Sequence, residues 1–205
     1  MYVPKHFEQK DLPALKQFIF DHPFGLLISQ HDGHPMGSHI PLDLVVDPNQ
    51  NWIITGHLAR ANDQSSGLEE GQTALAIFQG AHHYISSQWY QHMSVPTWNF
   101  MAVHLSGKIH LQNPEETRAS IQKMMQRYEP EGKSPVSLDK VPEEMLNRLY
   151  RGVQGFELRV ETIQGKWKLS QNKDEESAQQ VIRELESIAT DESMGVAEAM
   201  RKTRS

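Results

Sequence analysis

Four groups of residues in this chain have the types and spacing to do chemistry. The first is the run Thr55-Gly56-His57-Leu58-Ala59-Arg60-Ala61-Asn62-Asp63-Gln64. Its small residues let a ligand approach the backbone closely. A helix starting at Asn62 would offer N–H groups to a phosphate, and Arg60 can fork onto two phosphate oxygens. The same run also describes a solvated strand-to-helix corner in which Arg60 pairs with an acid. The second is Val95-Pro96-Thr97-Trp98-Asn99-Phe100-Met101-Ala102-Val103-His104. Trp98 can cover a flat ring, and Asn99 can both donate to and accept from the edge of a heterocycle. A core aromatic followed by a turn residue would look the same. The third is Gly165-Lys166-Trp167-Lys168-Leu169-Ser170-Gln171-Asn172-Lys173. Here Lys168, Gln171 and Asn172 could reach a phosphate or a ring edge, or form a basic, solvated strand end.

The fourth group is the 11 histidines, among them His31, His34, His39, His82, His83 and His92. A His-x-x-His spacing can ligate zinc. His31 and His34 fall inside an expected turn, no cysteine is present, and no acid stands at a recognisable spacing. Solvated or hydrogen-bonded histidines are the better account, and no metal site is expected. His57 and His104 are candidates for moving a proton, but no catalytic constellation can be drawn. No Gly-x-Ser-x-Gly, Walker loop or Gly-x-Gly-x-x-Gly occurs, so hydrolase, nucleoside-triphosphatase and Rossmann readings lack support.

Composition narrows the classes further. The 205 residues suffice for one domain with a sizeable core, or one domain plus a helical appendage. Hydrophobic residues make up 38% and charged residues 22%, which suits a globular chain. There is no apolar run of membrane-spanning length and no leader-like N-terminus. Without cysteine there are no disulfides and no thiol chemistry, which fits a cytoplasmic protein. The net charge is −6, and the basic clusters lack a DNA-reading pattern, so direct DNA binding is disfavoured.

The elements that must position these residues follow from periodicity and turn chemistry. Asp11 caps a first helix whose apolar face is Leu12, Leu15, Phe18 and Ile19, ended at Asp21-His22-Pro23. Phe24 to Ser29 is a continuous apolar run and predicts a strand buried on both faces. Asp32-Gly33 predicts a tight hairpin into a second strand running through Ser38 to Val46. Asp47 to Asn51 is a turn, and Trp52 to His57 a third strand. Asn62 to Glu70 reads as a short polar helix closed by Gly71. Thr73 to Phe78 is a fourth strand, followed by a long connection from Gly80 to Thr97 and a fifth strand from Asn99 to Leu111. Asn113-Pro114-Glu115-Glu116 opens a helix with Ile121, Met124, Met125 and Tyr128 on one face. Pro142 opens another, with Met145, Leu146, Leu149 and Tyr150. Val153 to Leu169 predicts a last hairpin turning at Gln164-Gly165. From Asp174 the chain is helical and polar. Strands joined by short turns favour a mainly β, antiparallel barrel with flanking helices over a parallel sheet.

Several segments together resemble the PaiB-like, FMN-binding negative transcriptional regulator family. They are Met1-Tyr2-Val3-Pro4 with His6-Phe7, Ser38-His39-Ile40-Pro41, Gly56-His57-Leu58-Ala59-Arg60-Ala61-Asn62, Ile77-Phe78-Gln79-Gly80 with Tyr84-Ile85-Ser86, Trp89-Tyr90, Val95-Pro96-Thr97-Trp98-Asn99, and Lys168-Leu169-Ser170-Gln171-Asn172. The resemblance implies a split antiparallel β-barrel, as in pyridoxamine-phosphate oxidase-like flavoproteins, forming a homodimer with FMN at the subunit interface. It implies an FMN-binding domain over residues 1–173 and a helical extension over 174–205 that packs on the barrel or on the partner. It implies that His39, Ile40, Pro41, Thr55, Gly56 and His57 line the isoalloxazine, and that Arg60 and Asn62 hold the phosphate. Gln64, Gln79, Trp98, Asn99, Lys168 and Gln171 would complete the cofactor site. Where the family pattern has Pro, a polar residue and Trp after Asn62, this chain has Asp63-Gln64-Ser65. The function implied is indirect regulation through flavin binding; the alternative is a flavin-dependent oxidoreductase acting on a small molecule.

Overall fold

The computed structural model describes residues 1–90, 92–129 and 141–204. Residue 91, inside the expected connection, and residue 205 of the tail lie outside the described residues. The elements run β1 (Glu8–Gln9), α1 (Leu12–Asp21), β2 (Phe24–His31), β3 (His34–Pro41), β4 (Asp43–Val46), β5 (Trp52–Ala59), α2 (Asp63–Ser66), β6 (Thr73–Ile85), β7 (Thr97–Leu111), α3 (Pro114–Tyr128), α4 (Glu143–Arg151), β8 (Val153–Lys168), α5 (Glu175–Ile188) and α6 (Asp191–Lys202). The strands form one sheet in the order β3-β2-β6-β7-β8-β5-β4, with β1 beside β8. The chain divides into two compact units. The first holds Met1–Phe18, Phe78–His104 and Gln164–Ser205; the second holds Ile19–Ile77 and Leu105–Ile163.

In the second unit the Asp32-Gly33 hairpin forms as expected. Both residues have positive φ (49° and 78°), and His31 pairs with His34 across the turn. The run Phe24 to Ser29 is a strand, but its burial alternates: Gly25, Leu27 and Ser29 are buried while Phe24 is 66% exposed. One face of β2 therefore meets the core and the other does not, so the apolar run is not buried on both faces. The expected strand from Ser38 to Val46 is broken at Leu42. Its first part pairs with β2, its second with β5. Leu42 itself is fully buried, and its N–H donates to Pro23 O at 2.8 Å. One residue thus joins the two ends of the sheet order, and among the described residues no ladder pairs β3 with β4. The Asp47 turn is fixed by Asp47 Oδ1 accepting from Asn51 N at 2.8 Å, with Gln50 at φ 67°.

The polar helix after Asn62 is one turn long and ends at Gly67, not Gly71. A Cβ at Gly67 would lie 2.6 Å from His31 Cβ, so packing requires glycine there. Helix α3 starts as its sequence predicts. Asn113 accepts from Glu115 N and Glu116 N, and Glu116 returns a bond to Asn113 N. The core of this unit is built from Leu27, Leu42, Ile54, Leu58, Leu105 and Phe156.

In the first unit β6 continues to Ile85, so the expected long connection shrinks to residues 86–96. His82, His83 and Tyr84 hid the strand period. The expected hairpin at Gln164-Gly165 is absent, and β8 is a single strand of 16 residues. Gly165 pairs with Gln9 of the two-residue strand β1. A Cβ at Gly165 would lie 2.8 Å from Gln9 O and 2.5 Å from a Leu15 methyl. The glycine makes room for Gln9 and Leu15 rather than for a turn. Helices α5 and α6 bury Ala178, Val181, Ile182, Leu185, Val196, Ala197 and Met200. They are part of this unit's core, capped by Asp174 and Thr190.

Candidate functional site

The second unit gathers one set of the expected residues. His39, Ile40 and Pro41 lie at the end of β3, and Thr55, Gly56 and His57 lie on β5. The corner after β5 is pinned to β3, because Asn62 Nδ2 donates to Ser38 Oγ at 3.0 Å. Asn62 Oδ1 accepts from Gln64 N at 2.9 Å. The N–H expected to meet a phosphate is thus already used by the helix's own cap, and α2 is a single turn. Arg60 N donates to Gly152 O at 2.9 Å, which fixes its backbone. Its side chain is exposed, and among the described residues its guanidinium has no ion pair or hydrogen bond. It lines a cavity of about 590 Å³ together with residues of α3 and α4.

The other members of this set differ in what they have left to offer. Gly56 is buried, and a Cβ there would meet Leu42 and Phe156 side chains at 2.8 Å. Core packing alone demands glycine at that position. Gln64 is 1% exposed, and its Nε2 donates to Leu27 O, Ser29 Oγ and Met36 O at 3.1, 2.9 and 3.3 Å. It ties α2 to the hairpin below it. Thr55 Oγ1 makes a long 3.5 Å bond to Asp43 O. Burial pushes the His57 imidazole below its ordinary pKa, so it is neutral at pH 7. His39 is exposed and stacks on the exposed ring of Phe24, with centroids 6.2 Å apart and planes at 25°.

The first unit holds the remaining expected residues, and most are engaged. Asn99 is fully buried. Its Nδ2 donates to Ser170 Oγ at 3.0 Å and to Met200 Sδ at 3.5 Å, while its Oδ1 accepts from Ser170 Oγ at 3.3 Å. Ser170 is 3% exposed and held at φ 61°, a left-handed conformation that costs a non-glycine residue energy. Gln171 closes its own turn, donating to Trp167 O at 2.6 Å and accepting from Leu169 N at 2.8 Å. Lys168 donates to Thr97 Oγ1, and burial together with the neighbouring charge of Lys166 lowers its pKa. Gln79 contacts His82 at 3.3 Å. Trp98 is 53% exposed, with His82 and Tyr84 each 6.1 Å from its ring. Asn99, Lys168 and Ser170 line a small cavity of about 170 Å³ with Tyr90 and Lys173. That is room for a few waters, well short of the usual size of a cofactor pocket. The Tyr90 hydroxyl is buried beside Ser170 without reaching hydrogen-bond geometry, and burial, partly offset by Ser170, raises its pKa.

The second unit's residues fit a flavin phosphate ester. Arg60 supplies an unpaired cation with two-oxygen reach, and the Phe24–His39 pair presents a flat, exposed surface beside the corner's anchor at Ser38. The residues that sequence reasoning missed are Phe24, Arg118, Arg151 and Tyr150. Phe24 was read as a core strand residue; the last three sit on helices whose lining role needs the fold to become visible.

Solved structures that share the fold include the FAD and heme binding protein of Mycobacterium smegmatis (TM-score 0.60, 12% identity, covering 83% of this chain and 78% of that one) and the flavocytochrome Anf3 of Azotobacter vinelandii (TM-score 0.61, 14% identity, 86% and 77%). The antiparallel sheet with helices α1 to α6 is that of the split barrels. Residues 1–162 match the family model described as "Putative FMN-binding domain". The chain belongs to that family, and FMN is the cofactor the family assigns to it. It is also 35% identical over 200 residues to the Protease synthase and sporulation protein PAI 2 of Bacillus subtilis, covering 98% of this chain and 96% of that protein. Among the described residues no helix is long and apolar enough to cross a membrane.

Proposed function

We propose that this chain is a homodimeric regulatory flavoprotein that acts indirectly, through its flavin state or a partner protein. His39, Ile40 and Pro41 on β3 and Thr55 and His57 on β5 orient the ring. Arg60 holds the phosphate, and Asn62 keeps the corner in place. The observation that carries the binding site is the free Arg60 guanidinium on a corner whose backbone and anchor are both fixed. FMN, when bound, supplies reversible hydride and electron chemistry. The regulatory role is supported by the relative PAI 2, whose name ties it to protease synthesis and sporulation. The net charge of −6 favours an indirect route over DNA contact.

Two experiments test this. The purified protein is expected to show flavin absorbance bands. A strain carrying Arg60→Ala is expected to reproduce the transcript changes of a deletion strain. Sustained oxidation of a reduced nicotinamide by the flavin-loaded protein, with transcripts unmoved by the substitution, would replace regulation with the oxidoreductase reading.

A further inference from the structure

The cavity behind Arg60 has a composition that the flavin reading does not use. Its walls include Arg60, Arg118, Arg151, Tyr150, Thr117 and Glu115, all within the second unit. Three arginines and one carboxylate residue line it. Arg118 reaches Glu143 only at 4.0 Å and lies 5.5 Å from the centroid of the Tyr150 ring. Arg151 spends its Nε on Asn147 O at 3.2 Å. Arg60 is unpaired among the described residues. The Tyr150 hydroxyl is buried and has no hydrogen-bond partner among them. The hydroxyl is closed off from solvent, so it is the Tyr150 ring, beneath the Arg118 guanidinium, that forms the wall. The cavity, at about 590 Å³, is in the range of small-molecule sites. None of the residues expected to line the isoalloxazine is in its walls.

We propose that this cavity binds a second ligand, a small polyanion carrying a phosphate ester or paired carboxylates, gripped by Arg60, Arg118 and Arg151. Arginine forks match both oxyanion types, and two or more of them converging on one space select multiply charged ligands over single anions. The proposal touches the flavin reading only through Arg60, which would stand between the two ligands. It gives a regulatory flavoprotein a means to read a metabolite.

The test is isothermal titration of pyrophosphate, and separately of succinate, into the protein as purified and after saturation with FMN. Saturable one-to-one binding is expected in both states. Preference for pyrophosphate would identify a phosphate ester, and preference for succinate a dicarboxylate. Arg118→Ala and Arg151→Ala should each weaken binding at least tenfold, with thermal melts showing that each variant is folded. Neither should change the FMN affinity read by flavin fluorescence. No saturable binding of either probe overturns the proposal, as does binding that both variants leave unchanged. Displacement of FMN by pyrophosphate also overturns it, because the flavin's own phosphate would then occupy the cavity. Pyrophosphate binding without any FMN binding would sink the flavin site and leave this one standing.

Discussion

The corner at Arg60 and the cluster at Asn99 contain much the same chemistry, an amide, cations and a phenol, yet they are organised in opposite ways. Around Asn99 the amide is spent internally, on Ser170 and Met200, and Lys168 is held by Thr97. The space left is about 170 Å³. Around Arg60 the amide of Asn62 is spent on fixing the backbone, while the cation stays free beside about 590 Å³ of space. Residue type alone therefore does not mark a ligand site. What marks it is a charged donor left over after the local structure has been satisfied.

Breaking the Asn99 cluster should cost stability rather than ligand affinity. Asn99→Ala leaves the Ser170 hydroxyl unpaired and opens a void, and is expected to lower stability by about 2–3 kcal/mol, read by chemical denaturation. A smaller effect separates two changes at Ser170. Ser170→Ala keeps the left-handed strain and loses the hydrogen bond, while Ser170→Gly relieves the strain, so the glycine variant should be more stable by about 1 kcal/mol. Equal stabilities would mean that the bend at Ser170 is not strained.

Each unit also carries one half-buried histidine whose pKa is lowered by burial, His57 and His104. Above the ordinary histidine value both states are neutral and nothing is at stake. As pH falls through that value, the unfolded chain takes up protons before the native one, so stability should decline from pH 7.5 to 5.5. His57→Gln should flatten part of that slope. A slope unchanged in this variant would assign it to other groups. The smallest expected effect is at Lys168. Lys168→Met should leave FMN affinity within about twofold, since its ammonium is engaged with Thr97. A large loss would bring the Asn99 region into the cofactor site.

Much of the fold was legible because local signals agreed with it. The Asp32-Gly33 hairpin, the Asp11, Asn62 and Asn113 caps and the Pro114 helix start all formed where their side chains dictate. Where reading failed, tertiary contacts had overruled a local signal. Gly165 looked like a turn and is instead the place where β1 pairs with β8. Leu42 looked like mid-strand and is the joint between the two ends of the sheet. The candidate site was legible as a motif, because the Arg60–Asn62 run has a recognisable order. Arg118, Arg151 and Tyr150 were not, because helix periodicity places a side chain on a face without saying what that face meets. Asn99 was legible only as a polar residue of interest; that it is buried and bonded to Ser170 depends on a contact 71 residues away.

The proposed flavin site turns on the leftover cation at Arg60, on its fixed corner. A fluorescence titration of FMN against the wild type and Arg60→Ala tests it most directly. The substitution is expected to weaken FMN binding by at least about tenfold, the loss of one charge-assisted bidentate contact, with the stability of the flavin-free protein unchanged. Equal affinity in the two proteins would contradict it.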